Sequence, residues 1–86
     1  MWKIINMSKS DKLILRFLSR PKDFTYNELK TLLLSFGYKE IQGAGSRVCF
    51  VKENHKIKLH KPHPDNKLKR YQIDLIAKEL TNKGLI

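Results

Sequence analysis

Residues 46–60 read SRVCFVKENHKIKLH. Val48 and Phe50 alternate with Arg47 and Cys49, and Ile57 and Leu59 alternate with Lys56, Lys58 and His60. Period-two alternation marks a half-buried strand, so the stretch contains two strands joined by a short turn. Pairing residue 51 with residue 56 sets Phe50 across from Ile57 and Val48 across from Leu59. All four apolar side chains then share one face. A slip of one residue would send one strand's apolar set to solvent, which is why this register is specified. The same register puts Arg47 across from His60, and Cys49 across from Lys58, on the opposite face.

The rest of the fold follows outward from this hairpin. YKEIQ at 38–42 is a candidate first strand, and GAG at 43–45 is the turn that leads into the second. Upstream, Thr25 and Glu28 form a capping box, with Phe24 and Leu29 at the flanking staple positions. Leu29, Leu32, Leu33 and Phe36 recur at helical spacing and Gly37 supplies a left-handed stop, which predicts a helix over 26–36. SDKLILRFLS at 10–19 predicts a shorter amphipathic helix with Leu13, Ile14, Phe17 and Leu18 on one side, ended by Pro21. Downstream, KPHPDN at 61–66 cannot continue the pairing because prolines lack the donor. Asp65 or Asn66 is positioned to cap a last helix over 67–82, with Ile73, Ile76, Ala77 and Leu80 on its apolar side. Tyr71 is expected to pack against the sheet. The order is helix, helix, three antiparallel strands, helix, an α+β fold. Residues 1–86 read as a single domain, with 1–23 an N-terminal helical extension and 24–86 the core. Residues 1–7 read as a leader between two possible starts, Met1 and Met7.

With 86 residues, 18 lysines and arginines and 8 acidic residues, the formal charge is +10. Such a surplus repels itself and calls for a partner: nucleic acid, an anionic membrane surface or an acidic protein. Cys49 is the single cysteine, so no internal disulfide forms and a reducing compartment is the simplest reading. No apolar run is long enough for a membrane span, and MWKII is too short for a signal-peptide core. A cytoplasmic protein is expected.

The stretch HKPHPDNKLKR at 60–70 concentrates the candidate chemistry. His60, His63 and Asp65 suggest a metal, but zinc takes three or four ligands in a set geometry and the neighbours here are cations. No metal and no cofactor is expected. Ser46 is not in a strand–elbow–helix setting, so a serine hydrolase is excluded. Gly43 and Gly45 precede a strand rather than a helix, so they form no dinucleotide or P-loop fingerprint. Cys49 reads as a small strand residue rather than a nucleophile. Any one lysine is an ordinary solvated cation. Lys61, Lys67, Lys69 and Arg70, together with Lys56 and Lys58 on the open sheet face, read as a phosphate-binding cluster helped by free N–H groups at a helix start. Trp2 and Tyr71 are aromatics able to stack on bases.

The helix ELKTLLLSFGY at 28–38, the strand GSRVCF at 45–50 and the run LHKPHPDNKLKRYQI at 59–73 together resemble the HicA-type toxins of bacterial toxin–antitoxin pairs. The likeness covers about residues 24–86. It implies a core of helix, three strands and helix like the double-stranded-RNA-binding domain, cleavage of mRNA, and restraint by a HicB-type antitoxin. The family's strand usually reads Gly-Ser-His, with histidine catalytic. Here it reads Gly45-Ser46-Arg47, and a guanidinium cannot act as a general base near neutral pH. A ribonuclease of this type needs an imidazole and a cation. His60, or alternatively His63, is the candidate imidazole, and Arg47, with Lys58 and the loop lysines, is the candidate catalytic cation. Ser46, Arg47, Lys56, Lys58, Lys61, Lys67, Lys69 and Arg70 are the candidate RNA contacts. The alternatives are an RNA-binding or regulatory module of the same fold without catalysis, or a DNA-binding domain.

Overall fold

A computed structural model describes residues 9–86, the side chain of Ser10 excepted. The readings of Trp2, Met1 and Met7 lie outside the described residues. The elements run α1 (Lys9–Leu18), α2 (Tyr26–Ser35), β1 (Lys39–Gln42), β2 (Arg47–Lys52), β3 (His55–His60) and α3 (Arg70–Asn82). This is the expected α+β order: a core of helix, three strands and helix like the double-stranded-RNA-binding domain, preceded by a short helix. No described helix is long and apolar enough to cross a membrane.

The capping box at α2 is complete. Thr25 Oγ1 accepts from the Glu28 N–H at 3.1 Å, and the Glu28 carboxylate accepts from the Thr25 N–H at 2.9 Å. Both staple residues, Phe24 and Leu29, are fully buried. Gly37 follows α2 at φ 97°, a left-handed conformation that costs glycine no Cβ clash.

The sheet is antiparallel in the order β1-β2-β3. Phe50 pairs with Ile57, Val48 with Leu59 and Arg47 with His60, the register derived from alternation. Val48, Phe50 and Ile57 join Leu29, Leu32 and Leu33 of α2, and Ile73, Ile76 and Leu80 of α3, in one core. The helices therefore cover one sheet face. The other carries Lys39 and Ile41 from β1, Arg47, Cys49 and Val51 from β2, and Lys56, Lys58 and His60 from β3.

Helix α1 contributes to that core through Phe17, which is fully buried with its ring 5.4 Å from that of Phe24. Leu13 and Ile14, four and three residues earlier, are partly buried against it. Leu18 departs from expectation and is 42% exposed. It lies about 100° round the helix from Phe17 and ends it, and Arg20 at φ 54° then turns the chain back toward α2.

A second departure is the start of α3. Residues 67–69 are extended rather than helical, so the helix begins at Arg70. Thr25 and Lys67 form an isolated β-bridge, with Tyr26 N–H donating to Asn66 O and Leu68 N–H to Phe24 O, both at 2.8 Å. The Asp65 carboxylate accepts from Lys67 N–H instead of capping a helix. Pairing with a distant segment thus overrides the local capping signal.

Two arginines fasten α1 and the turn after it. Arg16 Nε and Nη2 donate to the Glu28 carboxylate at 2.7 and 3.2 Å, and Arg20 Nε donates to Asp74 at 2.8 Å. The Arg16 guanidinium holds Glu28 below the usual carboxylate range against a smaller opposing effect of burial, and Arg20, then Arg70, do the same for Asp74. The folded chain therefore binds fewer protons in acid than the unfolded chain. This stabilisation is full above the unfolded carboxylate range, near pH 4, and is lost as pH falls through the lower folded values. Urea midpoints should fall between pH 6 and pH 3, and fall less in Arg16→Met, which lacks part of that linkage. Equal acid sensitivity of the two proteins would contradict the assignment.

Candidate nucleic-acid interface

The turn before β2 sets the site. Gly43 N–H donates to Arg47 O at 2.8 Å and Arg47 N–H to Ala44 O at 3.2 Å. A Cβ on Gly43 would meet the Cβ and carbonyl of Arg47 at 3.3 Å, and Gly45 sits at φ 64°. The two glycines therefore make a tight reversal that delivers Arg47 to the first position of β2. Beyond β3, Lys61 N–H donates to Ser46 O at 2.8 Å, which extends the pairing past His60.

Arg47 and His60 are thus cross-strand partners on the open face. Ser46 Oγ lies 3.3 Å from His60 Nδ1. Arg47, Cys49 and Ile41 on one side, and Lys58 and His60 on the other, line an open hollow of about 450 Å³. Arg47, Lys56 and Lys58 make no ion pair with a carboxylate among the described residues.

The three histidines differ in availability. His55 is committed: Nδ1 meets Tyr38 Oη at 2.6 Å and Nε2 meets Glu79 at 2.7 Å, which ties β3 to α3. Burial, and then the Glu79 charge, push the Tyr38 phenol up. His60 uses only Nδ1, leaving Nε2 without a protein partner among the described residues. His63 is exposed in the loop after β3.

The candidate cations do not gather at one point. Arg47, Lys56 and Lys58 share the open sheet face. Lys61 leaves that face, and its ammonium sits 5.5 Å from the centre of the Tyr26 ring. Lys67 is in the bridge to Thr25, and Lys69 is the residue preceding α3. Arg70 is ion-paired with Asp74 at 3.2 Å. Among the described residues, no group of three or more His, Cys, Asp and Glu is gathered where a metal could sit.

Two features escape a purely local reading of the chain. Gln72, 8% exposed, donates from Nε2 to His60 O at 3.1 Å and accepts the Lys69 N–H on Oε1 at 3.0 Å. It clips the end of β3 to the start of α3 and so holds the backbone of His60. The available signal was a polar residue in phase with Ile76 and Leu80 on the buried stripe. Tyr71 is the other: it is 66% exposed rather than packed against the sheet. Its position one residue before Gln72 places it off the core-facing stripe, beside the β3 edge.

A protein-family model described as the HicA toxin of bacterial toxin–antitoxin systems matches residues 26–81, from the first residue of α2 into the last turn of α3. Searches of curated proteins and of solved structures find no significant match.

Proposed function

The chain belongs to the HicA toxin family, and on that premise we propose that it binds and cleaves single-stranded RNA at the Arg47–His60 pair and is restrained by a HicB-type antitoxin. The observation that carries this reading is the cross-strand juxtaposition of the two side chains, with Ser46 steadying the imidazole. In the tautomer protonated at Nδ1, that N–H donates a hydrogen bond to Ser46 Oγ and Nε2 presents a lone pair. Nε2 then takes the proton of a ribose 2′-OH. The 2′-oxygen attacks the adjacent phosphorus, and the P–O5′ bond breaks. The products are a 2′,3′-cyclic phosphate and a 5′-hydroxyl, the latter protonated by the imidazolium. Arg47 grips the phosphate and stabilises charge as it develops on the non-bridging oxygens, with Lys58 beside it. Lys56, Lys61, Lys67, Lys69 and Arg70 steer and hold the flanking backbone.

A second reading, RNA binding without cleavage, is favoured by Arg47 itself, which stands where the family pattern has its catalytic histidine and is no general base. Incubation with a long unstructured RNA separates the two. Fragments ending in cyclic phosphate are expected. Intact RNA retained on the protein is the outcome of the binding-only reading.

RNA affinity should also fall steeply with salt, by counterion release. Lys56→Gln with Lys58→Gln should weaken binding alike on every sequence, and lower the slope of log K against log salt by about 0.7 for each phosphate that the two lysines no longer neutralise. Affinity that is flat between low and high salt would remove the electrostatic basis of the proposal.

A further inference from the structure

Helix α3 carries two apolar stripes. Ile73, Ile76, Ala77 and Leu80 are at most 3% exposed in the core. Tyr71 and Leu75, neighbours at i and i+4, are 66% and 54% exposed. Single exposed apolar residues need no explanation. Here two adjoin one another, and both border a hollow whose opposite wall is Lys58, Leu59 and His60. Those same three residues of β3 wall the hollow that contains Arg47. The end of β3 is thus a ridge between a cationic hollow on the sheet face and an aromatic hollow against α3.

We propose that Tyr71 and Leu75 form a nucleobase subsite, on which a base next to the phosphate at Arg47 and His60 stacks. This rests on the RNA-binding reading above and adds to it the conformation of the substrate. A base can reach the ring of Tyr71 only when it is unstacked from its own strand, so the site takes single-stranded RNA. The hollow measures about 170 Å³, room for one planar ring system and not for a folded peptide segment. Continuity with the cationic hollow through Lys58 and His60 argues for a ligand that has an anionic backbone and a flat apolar face. Gln72, the neighbouring amide, has Oε1 engaged by Lys69 N–H and Nε2 by His60 O. It is committed to the backbone and does not offer a base edge the usual paired amide contacts, so the subsite holds a base by stacking.

The experiment is fluorescence anisotropy of labelled single-stranded RNA of mixed sequence, 2′-O-methylated so that the cleavage step has no 2′-OH to use, with a duplex RNA of equal length as control. Tyr71→Ala should weaken single-strand binding about 5- to 150-fold, the range of one base–aromatic stack. Tyr71→Phe should retain binding, and duplex binding should not change. A 2-aminopurine base placed beside the bound phosphate should change its fluorescence with the wild-type chain and not with Tyr71→Ala. Tyr71 is exposed, so the variant should fold, and circular dichroism verifies that. Wild-type affinity in Tyr71→Ala would overturn the subsite while leaving the RNA-binding reading intact. So would equal losses in the Ala and Phe variants, or an equal loss on duplex. A change in self-association alone would assign the face to contact between copies and would overturn it too. If the wild-type chain binds no RNA at all, both proposals fall.

Discussion

His60→Gln should lower RNA cleavage by about 10²- to 10⁴-fold, the usual contribution of a positioned general acid–base group, while leaving RNA affinity close to wild type. Glutamine keeps a planar polar side chain able to hydrogen-bond Ser46, but it cannot take a proton from the 2′-OH. Arg47→Gln should behave differently, losing both affinity and rate, because the guanidinium holds the phosphate in the ground state and stabilises it further in the transition state. Arg47→His in the His60→Gln background is the sharper measurement. Residues 47 and 60 are cross-strand partners, and such partners have Cβ atoms about 5 Å apart. An imidazole moved to 47 reaches nearly the same space and should restore part of the cleavage. Unchanged cleavage in His60→Gln would end the displaced-imidazole reading. His63, exposed in the following loop, would be the next residue to replace.

The largest effect on stability is expected from Phe17→Ala. Removing a fully buried phenylalanine costs about 3–5 kcal/mol, against a total of about 5–15 kcal/mol for a typical domain. The denaturant midpoint should fall by roughly a fifth or more on the same figures. Phe17 packs edge-on against Phe24, the residue that staples the start of α2, so the loss should spread into the core. Leu15→Ala, at a position 56% exposed, serves as the control and should change stability by about 0.5 kcal/mol or less. If residues 1–23 were a separable appendage, Phe17→Ala would leave the main unfolding transition in place. A midpoint equal to that of Leu15→Ala would establish that, and would sink the view that α1 is part of the core.

The contrast between hairpin and α3 explains how much was legible. The alternation around Val48, Phe50, Ile57 and Leu59 excludes a one-residue slip, and the short turn between the strands sets the offset, so the Arg47–His60 pairing is legible in the sequence. The start of α3 could not. Asp65 and Asn66 are good capping residues, and no neighbour within a turn argues against them. What defeats them is residues 24–26, remote in sequence, whose backbone groups pair with residues 66–68. The spread of the candidate cations has the same cause. Residues 56–70 look continuous in sequence, yet the loop carries Lys61 over Tyr26 and seats Lys67 beside Thr25, while only Lys56 and Lys58 stay with Arg47 on the sheet.

From the sequence alone came the order of the elements, the complete cap on α2, the hairpin register and the meeting of Arg47 with His60. These depend on periodicity and on groups a few residues apart, whose geometry the backbone dictates locally. Tertiary structure alone decided that Gln72 clips His60 to α3, that His55 is spent on Tyr38 and Glu79, that α3 begins at Arg70, and that Tyr71 faces solvent beside His60. Each of these is settled by distant segments competing for the same donors, acceptors and apolar surface. A local pattern shows that a side chain can be satisfied, but the packed chain determines which partner satisfies it.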